Sequence, residues 1–101
     1  PPRSKDTGLP RSQEVYVNVE VRYARSFLQD LTALDTDAYW RVYQIVFVKF
    51  PQINRLQELP EFRAVGSTGI FYRFTIDRYL IGLEMTGQIV KFLRILPKPH
   101  V

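Results

Sequence analysis

The sequence predicts an α+β fold: a mostly antiparallel four-stranded sheet with two helices packed on one face, in the order β-α-α-β-β-β. Three observations carry that prediction. Apolar and polar residues alternate strictly over 15–23, two segments between residues 24 and 50 follow helical spacing, and three β-rich runs over 70–96 are joined by two-residue turns.

The first run, "VYVNVEVRY", sets Val15, Val17, Val19, Val21 and Tyr23 on one face and Tyr16, Asn18, Glu20 and Arg22 on the other. A period of two with one apolar face is the signature of a half-buried strand. Ala24, Phe27, Leu28, Leu31 and Leu34 then recur at three- and four-residue intervals, which makes a short amphipathic helix. "LDTD" interrupts it and offers Asp35 and Thr36 as N-caps for a second helix over 38–50. The valines and aromatics of "AYWRVYQIVFVKF" favour a strand locally, but length and cap argue for a helix that Pro51 stops. One stripe of this helix is Tyr39, Val42, Ile45, Val46 and Lys49, and a second is Trp40, Tyr43, Phe47 and Phe50. A helix apolar on two sides buries both, so the Trp40 stripe faces either more of the domain or a partner.

Residues 52–69 read as a long connection holding an extra turn or a short strand. Strands over 70–76, 79–85 and 88–96 follow, joined at Asp77-Arg78 and at Thr86-Gly87, where Gly87 supplies the positive φ that a tight hairpin favours. With helices on one face only, the other face of the sheet stays open to a ligand.

A chain of 101 residues is one domain by length, and 46% hydrophobic residues with 14% aromatics is a globular composition. Residues 1–14, rich in proline and mixed charge, read as a flexible tail, which leaves 15–101 as the domain. Without cysteine the fold uses neither disulfides nor thiolate metal sites. No metal-ligand cluster and no glycine-rich phosphate loop is present, so no cofactor is expected. No apolar run approaches the roughly 20 residues of a membrane span and no signal-peptide pattern opens the chain, so a cytoplasmic protein without a membrane partner is expected. The net charge of +4 is a mild excess, compatible with nucleic acid. It concentrates in the last third, where Arg73, Arg78, Lys91, Arg94 and Lys98 face only Asp77 and Glu84.

A first strand, a helix containing "FLQDL", a second helix, "YRFTIDRYLIGLE" and "IVKFLRIL" together resemble the RelE/ParE toxin superfamily, the small toxins of bacterial toxin–antitoxin pairs. Tyr72-Arg73, Tyr79, Gly82, Glu84 and "FLRIL" fall in register with that family's short motifs over roughly 15–101. The resemblance implies inhibition of translation by metal-independent, ribosome-dependent mRNA cleavage, with a cognate antitoxin, the ribosome and mRNA as partners. The nucleophile in such cleavage is the substrate's 2′-OH, and the protein supplies a base, an acid and cations for the developing charge. On this reading Arg73, Lys98 and His100 are the candidate catalytic residues, and Arg73, Arg78, Lys91, Arg94 and Lys98 contact RNA. Trp40, Tyr43 and Phe47 are the candidate antitoxin anchor.

Plainer readings stand beside these. Arg73 fits a side chain that runs to solvent and pairs with Glu84 or Asp77. His100, the single histidine, fits a frayed, proline-flanked end. Leu80 and Pro97 stand where the family's nucleases usually carry an arginine and a histidine, and neither stabilises phosphate charge. That departure keeps a gyrase inhibitor of the ParE kind, or a degenerate antitoxin-binding module, as the alternative.

Overall fold

A computed structural model describes residues 19–99. The predicted tail at 1–14, the strand residues 15–18 and His100 lie outside the described residues. Strand β1 (Glu20–Tyr23) is followed by helices α1 (Arg25–Thr32) and α2 (Thr36–Tyr43). Strands β2 (Arg63–Ala64), β3 (Phe71–Ile76), β4 (Tyr79–Thr86) and β5 (Ile89–Pro97) complete the sheet.

The sheet has five strands, not the expected four, in the order β1-β5-β4-β3-β2. The extra strand is β2, whose Arg63 and Ala64 pair antiparallel with Arg73 and Tyr72. It is the short strand that the 52–69 connection was expected to hold as the alternative to an extra turn; at two residues it is too short for alternation to place it or to add it to the sheet. The outer strand β1 pairs parallel to β5, and every other pairing is antiparallel. A parallel neighbour requires a crossover, and the two helices are that crossover.

Asp35 proves to be the cap of α2: its carboxylate accepts from the Ala38 N–H at 2.8 Å. The helix therefore starts at Thr36, two residues before the expected 38. Past Tyr43 the coil widens into a π-helical segment, Gln44–Lys49, and then tightens into a 3₁₀ turn, Phe50–Gln52, so Pro51 lies inside the helical tail instead of ending it. The apolar spacing accounts for the widening. Val42, Val46 and Phe50, all buried, stand four residues apart, and each such step drifts about 40° around a 3.6-residue helix. Wider turns hold all three against the sheet.

The inner face of the sheet and the helices enclose one core. Phe27 and Leu31 of α1, Val42, Val46 and Phe50, and Phe74, Ile76, Ile81, Leu83, Val90, Phe92 and Ile95 of the strands are buried together, with Leu56 and Leu59 of the connection. Phe92 sits at its centre, with the rings of Tyr23, Phe27, Phe50 and Phe74 between 5.1 and 6.4 Å away.

Two turns and one bulge fix the register. Asp77, at φ 55°, forms the expected two-residue turn with Arg78. The second turn is Gly87-Gln88, one residue later than expected, with Gly87 at φ 60° in its first position. In β5 an extra residue, Leu93, stands between the partners of Gly82 (Arg94) and Leu83 (Phe92).

Replacing Phe92 by alanine should cost about 3–5 kcal/mol, a large share of the stability of so small a domain. Circular-dichroism melting is expected to give Phe92→Ala a lost or strongly lowered transition and Phe92→Leu a cooperative one.

Candidate functional site

The outer face of the sheet, opposite the core, is built from the alternate residues of each strand. Cross-strand partners share a face, so the register lays out its rows. One row runs Arg63, Arg73, Gly82, Arg94 across four strands. A second runs Phe71, Glu84, Lys91, Arg22, and a third Thr75, Leu80, Leu96. Arg73 is thus on the open face and half-buried, while Phe74 beside it points into the core.

The cations of this face fall into two groups. Arg94 is held at the sheet edge by Asp30 of α1, which accepts from its Nε at 2.7 Å and its Nη2 at 3.3 Å. The same carboxylate accepts from the Ile95 N–H at 2.9 Å, and the Ser26 hydroxyl donates to the Leu93 carbonyl at 2.7 Å. These contacts have a structural cause. Strand β1 ends at Tyr23 and leaves the second half of β5 with an unpaired edge, which α1 then satisfies through its side chains. The hydrogen bond from Arg94, reinforced by that from Ile95, holds the Asp30 carboxyl below its ordinary value, and Asp30 in turn raises Arg94.

Lys98 leaves the end of β5 with its N–H donating to the Arg78 carbonyl at 2.7 Å, and its ammonium meets Glu61 at 3.2 Å. That hydrogen bond lowers the Glu61 carboxyl. Thr75, which alternation puts on the same face as Arg73, is nonetheless buried, because the preceding connection folds over it: its N–H donates to the Pro60 carbonyl at 2.9 Å.

Arg63 and Arg73 form the second group. Among the described residues no carboxylate lies within ion-pair distance of either. The partners anticipated for Arg73 do other things: Asp77 pairs with Arg41 of α2 at 2.6 Å, and Glu84 lies one row away beside Lys91. Arg78 is exposed in the β3–β4 turn, where it lines a cleft of about 400 Å³ with Tyr79, Pro97 and Lys98. Lys91 is exposed on the row of Glu84 and Arg22, and Arg22 pairs with Glu20. Between the cations the face is apolar. Val65 (46% exposed), Phe71 (41%) and Leu96 (42%) with Leu80 and Gly82 line a groove of about 380 Å³ that Arg73 borders.

Arg63 and Glu61 are the two residues that sequence reasoning missed. Their signal was "PEFRA", a proline followed by alternating charge, too short to separate from the connection around it.

On the helix side, Trp40, Tyr43 and Phe47 form a graded file. Trp40 is 55% exposed and meets Tyr43 edge-on at 5.4 Å; Tyr43 and Phe47 are half-buried, 4.9 Å apart, and Phe47 stacks on Tyr23 at 4.6 Å. The file therefore begins in solvent and ends against the core.

No protein-family model and no curated sequence matches the chain. Solved structures match it by shape. The RelB–RelE antitoxin–toxin complex from Methanococcus jannaschii aligns at 22% identity and TM-score 0.60, over 75% of this chain and 88% of that one. The archaeal RelE–RelB complex from Pyrococcus horikoshii aligns at 15% and 0.64, over 82% and 98%. The isolated Escherichia coli RelE toxin aligns at 8% and 0.62, over 83% and 88%. At these identities the likeness is one of fold: the chain has the RelE-like toxin fold.

The Asp30 contacts give a direct expectation. Asp30→Ala leaves the Ile95 N–H without its partner and should lower stability by about 1–3 kcal/mol in urea denaturation. Because the folded-state pKa of Asp30 lies below the ordinary 3.8, its contribution is present above that value and lost as pH falls through the folded-state value. Asp30→Asn should therefore show a smaller loss of stability on acidification than the parent chain.

Proposed function

We propose that this chain is the toxin of a toxin–antitoxin pair and that its outer sheet face contacts RNA, as in a RelE-type inhibitor of translation acting on ribosome-bound mRNA. The observation that carries the reading is the adjacent pair Arg63 and Arg73 on an open face with no carboxylate partner among the described residues. Two guanidiniums one strand apart present rigid donors to successive phosphates, and helices on the far side leave the approach clear. The fold adds support, since two of the similar structures are toxins bound to antitoxins.

The chemistry asked of such a face is modest. The 2′-OH of one nucleotide attacks the adjacent phosphorus, its proton goes to a base, the 5′-oxygen leaves with a proton from an acid, and cations stabilise the phosphorane between. Arg63 and Arg73 are placed to supply the positive charge. Glu61 and Lys98, paired at 3.2 Å, are the carboxylate and the ammonium that would take the proton of the 2′-OH and give one to the 5′-oxygen. Arg94 is occupied by Asp30, and Leu80 fills the centre of the face with an uncharged side chain. With Leu80 and Pro97 in place, this set has fewer charged or titratable groups than the resemblance implies for the family's nucleases. Leu80 and Pro97 are the observation that favours a second reading, a toxin that binds without cutting, either a gyrase inhibitor of the ParE kind or a module that only engages its antitoxin.

Expression in bacteria is expected to arrest growth, with relief by the neighbouring open reading frame; no arrest under any induction removes the toxin reading. In a ribosome-dependent cleavage assay, Leu80→Arg should raise the rate at least about tenfold and Arg73→Ala should lower it, each charge stabiliser being worth about 10²–10³. No cleavage by any folded variant selects the second reading. Trp40→Ala should weaken antitoxin binding by about tenfold or more in calorimetry, as expected for an exposed aromatic anchor.

A further inference from the structure

Gly82 has no structural reason to be glycine. It lies inside β4, where glycine weakens a strand, and its φ is not in the left-handed region. A Cβ built on it would meet no atom within 4 Å, so neither packing nor close backbone approach excludes a side chain, even beside the bulge. What the missing side chain does secure is space. Its two row partners are Arg73 and Arg94, two strand spacings or about 10 Å apart, and neither side chain covers it, Arg94 being turned to Asp30. The space is part of the groove of about 380 Å³ walled by Phe71, Leu80, Leu96 and Val65.

We propose that this groove is a nucleobase slot: one unstacked base of a single-stranded RNA lies over Gly82 against Phe71 and the aliphatic walls, while Arg73 and Arg63 hold the adjoining phosphates. The inference rests on the RNA-contact reading above and names the part of the substrate this site takes. Charge complementarity favours that occupant. An apolar floor bordered by guanidiniums that no described carboxylate approaches to ion-pair distance is the combination that single-strand binders use, a cationic track beside a stacking platform. A peptide is the poorer fit. The groove opens on the face of β3, β4 and β5 and only its Val65 wall adjoins the two-residue edge strand β2, which is too short to offer a ladder for strand addition. Apart from Arg73 the lining holds one other polar side chain, Tyr72, whose hydroxyl is already donated to the Gly69 carbonyl at 3.0 Å, so the slot takes any base and reads little sequence.

The test uses a fluorescein-labelled single-stranded RNA octamer and a series of the same RNA with one abasic nucleotide moved along it. Binding is followed by anisotropy at low salt. The parent chain should bind the intact RNA, and an abasic nucleotide at one position should weaken it by at least about fivefold, the scale of one stacked base. Gly82→Leu should melt at the parent temperature or higher, bind intact RNA at least about fivefold more weakly, and lose its further sensitivity to the abasic position. Gly82→Ala should fall between the two, and serves if the leucine variant fails to fold. Equal binding of intact RNA by parent and Gly82→Leu overturns the slot but leaves the RNA-contact reading standing. Equal weakening of intact and abasic RNA by Gly82→Leu also overturns it, since the side chain then merely obstructs the backbone track. No binding of any RNA by the parent chain removes the reading beneath it. An antitoxin peptide blocked by Gly82→Leu, with RNA binding unaffected, would reassign the groove to the protein partner.

Discussion

The ring of Phe92 is the point at which every layer of this domain is fixed. It lies opposite Tyr23 on the parallel neighbour and Leu83 on the antiparallel one, and it touches the rings of α1, of the helical tail and of β3. A buried aromatic in contact with several rings at 5–6 Å gains both area and specific edge-to-face geometry, and it leaves its neighbours few alternative rotamers. The parallel pairing of β1 with β5 has the longest chain separation in the sheet. The aromatic cluster around Phe92 is what makes closing that loop favourable.

Because the helices cover one face only, polar demands collect on the other side and at the edge. Asp30 answers two of them with a single carboxylate: the unpaired N–H of Ile95 and the guanidinium of Arg94. Edge closure and surface charge are coupled through that group. A change that weakens the fold at the α1–β5 seam also frees a cation onto the outer face. Lys98 and Glu61 make a similar link between the last strand and the connection that precedes β2, so Arg94 and Lys98 are tied to the scaffold, while no described carboxylate lies within ion-pair distance of Arg63 or Arg73.

Much of this was legible in the sequence, for a definable reason. Where a segment is long enough to show one apolar face, periodicity is enough: α1 and the three-stranded meander stand within a residue or two of where helical spacing and alternation put them, and the described end of the first strand, Glu20–Tyr23, falls within the expected run. What escaped it had no local signal. The position of the short strand β2 could not be read from two residues, the widening of the second helix depends on what it packs against, and the partners of Arg94 and Lys98 lie 64 and 37 residues away. An arginine reads the same in sequence whether a distant carboxylate holds it or nothing does. The site was therefore legible as a face and a set of cations, but not as to which of those cations a carboxylate holds.

The extra residue in β5 has a wider meaning. Before Leu93 the even-numbered positions Val90 and Phe92 point inward; after it the odd-numbered Ile95 does. The strand is in effect two frames spliced at one residue. A deletion of Leu93 would invert everything beyond it, driving Arg94 toward the hydrophobic interior and Ile95 into solvent, although no residue type had changed. Two-residue insertions or deletions at the same point would preserve the frame. The charge presented beside Gly82 is therefore set by chain length, and any relative lacking the extra residue would bring a different side chain to that point of the face.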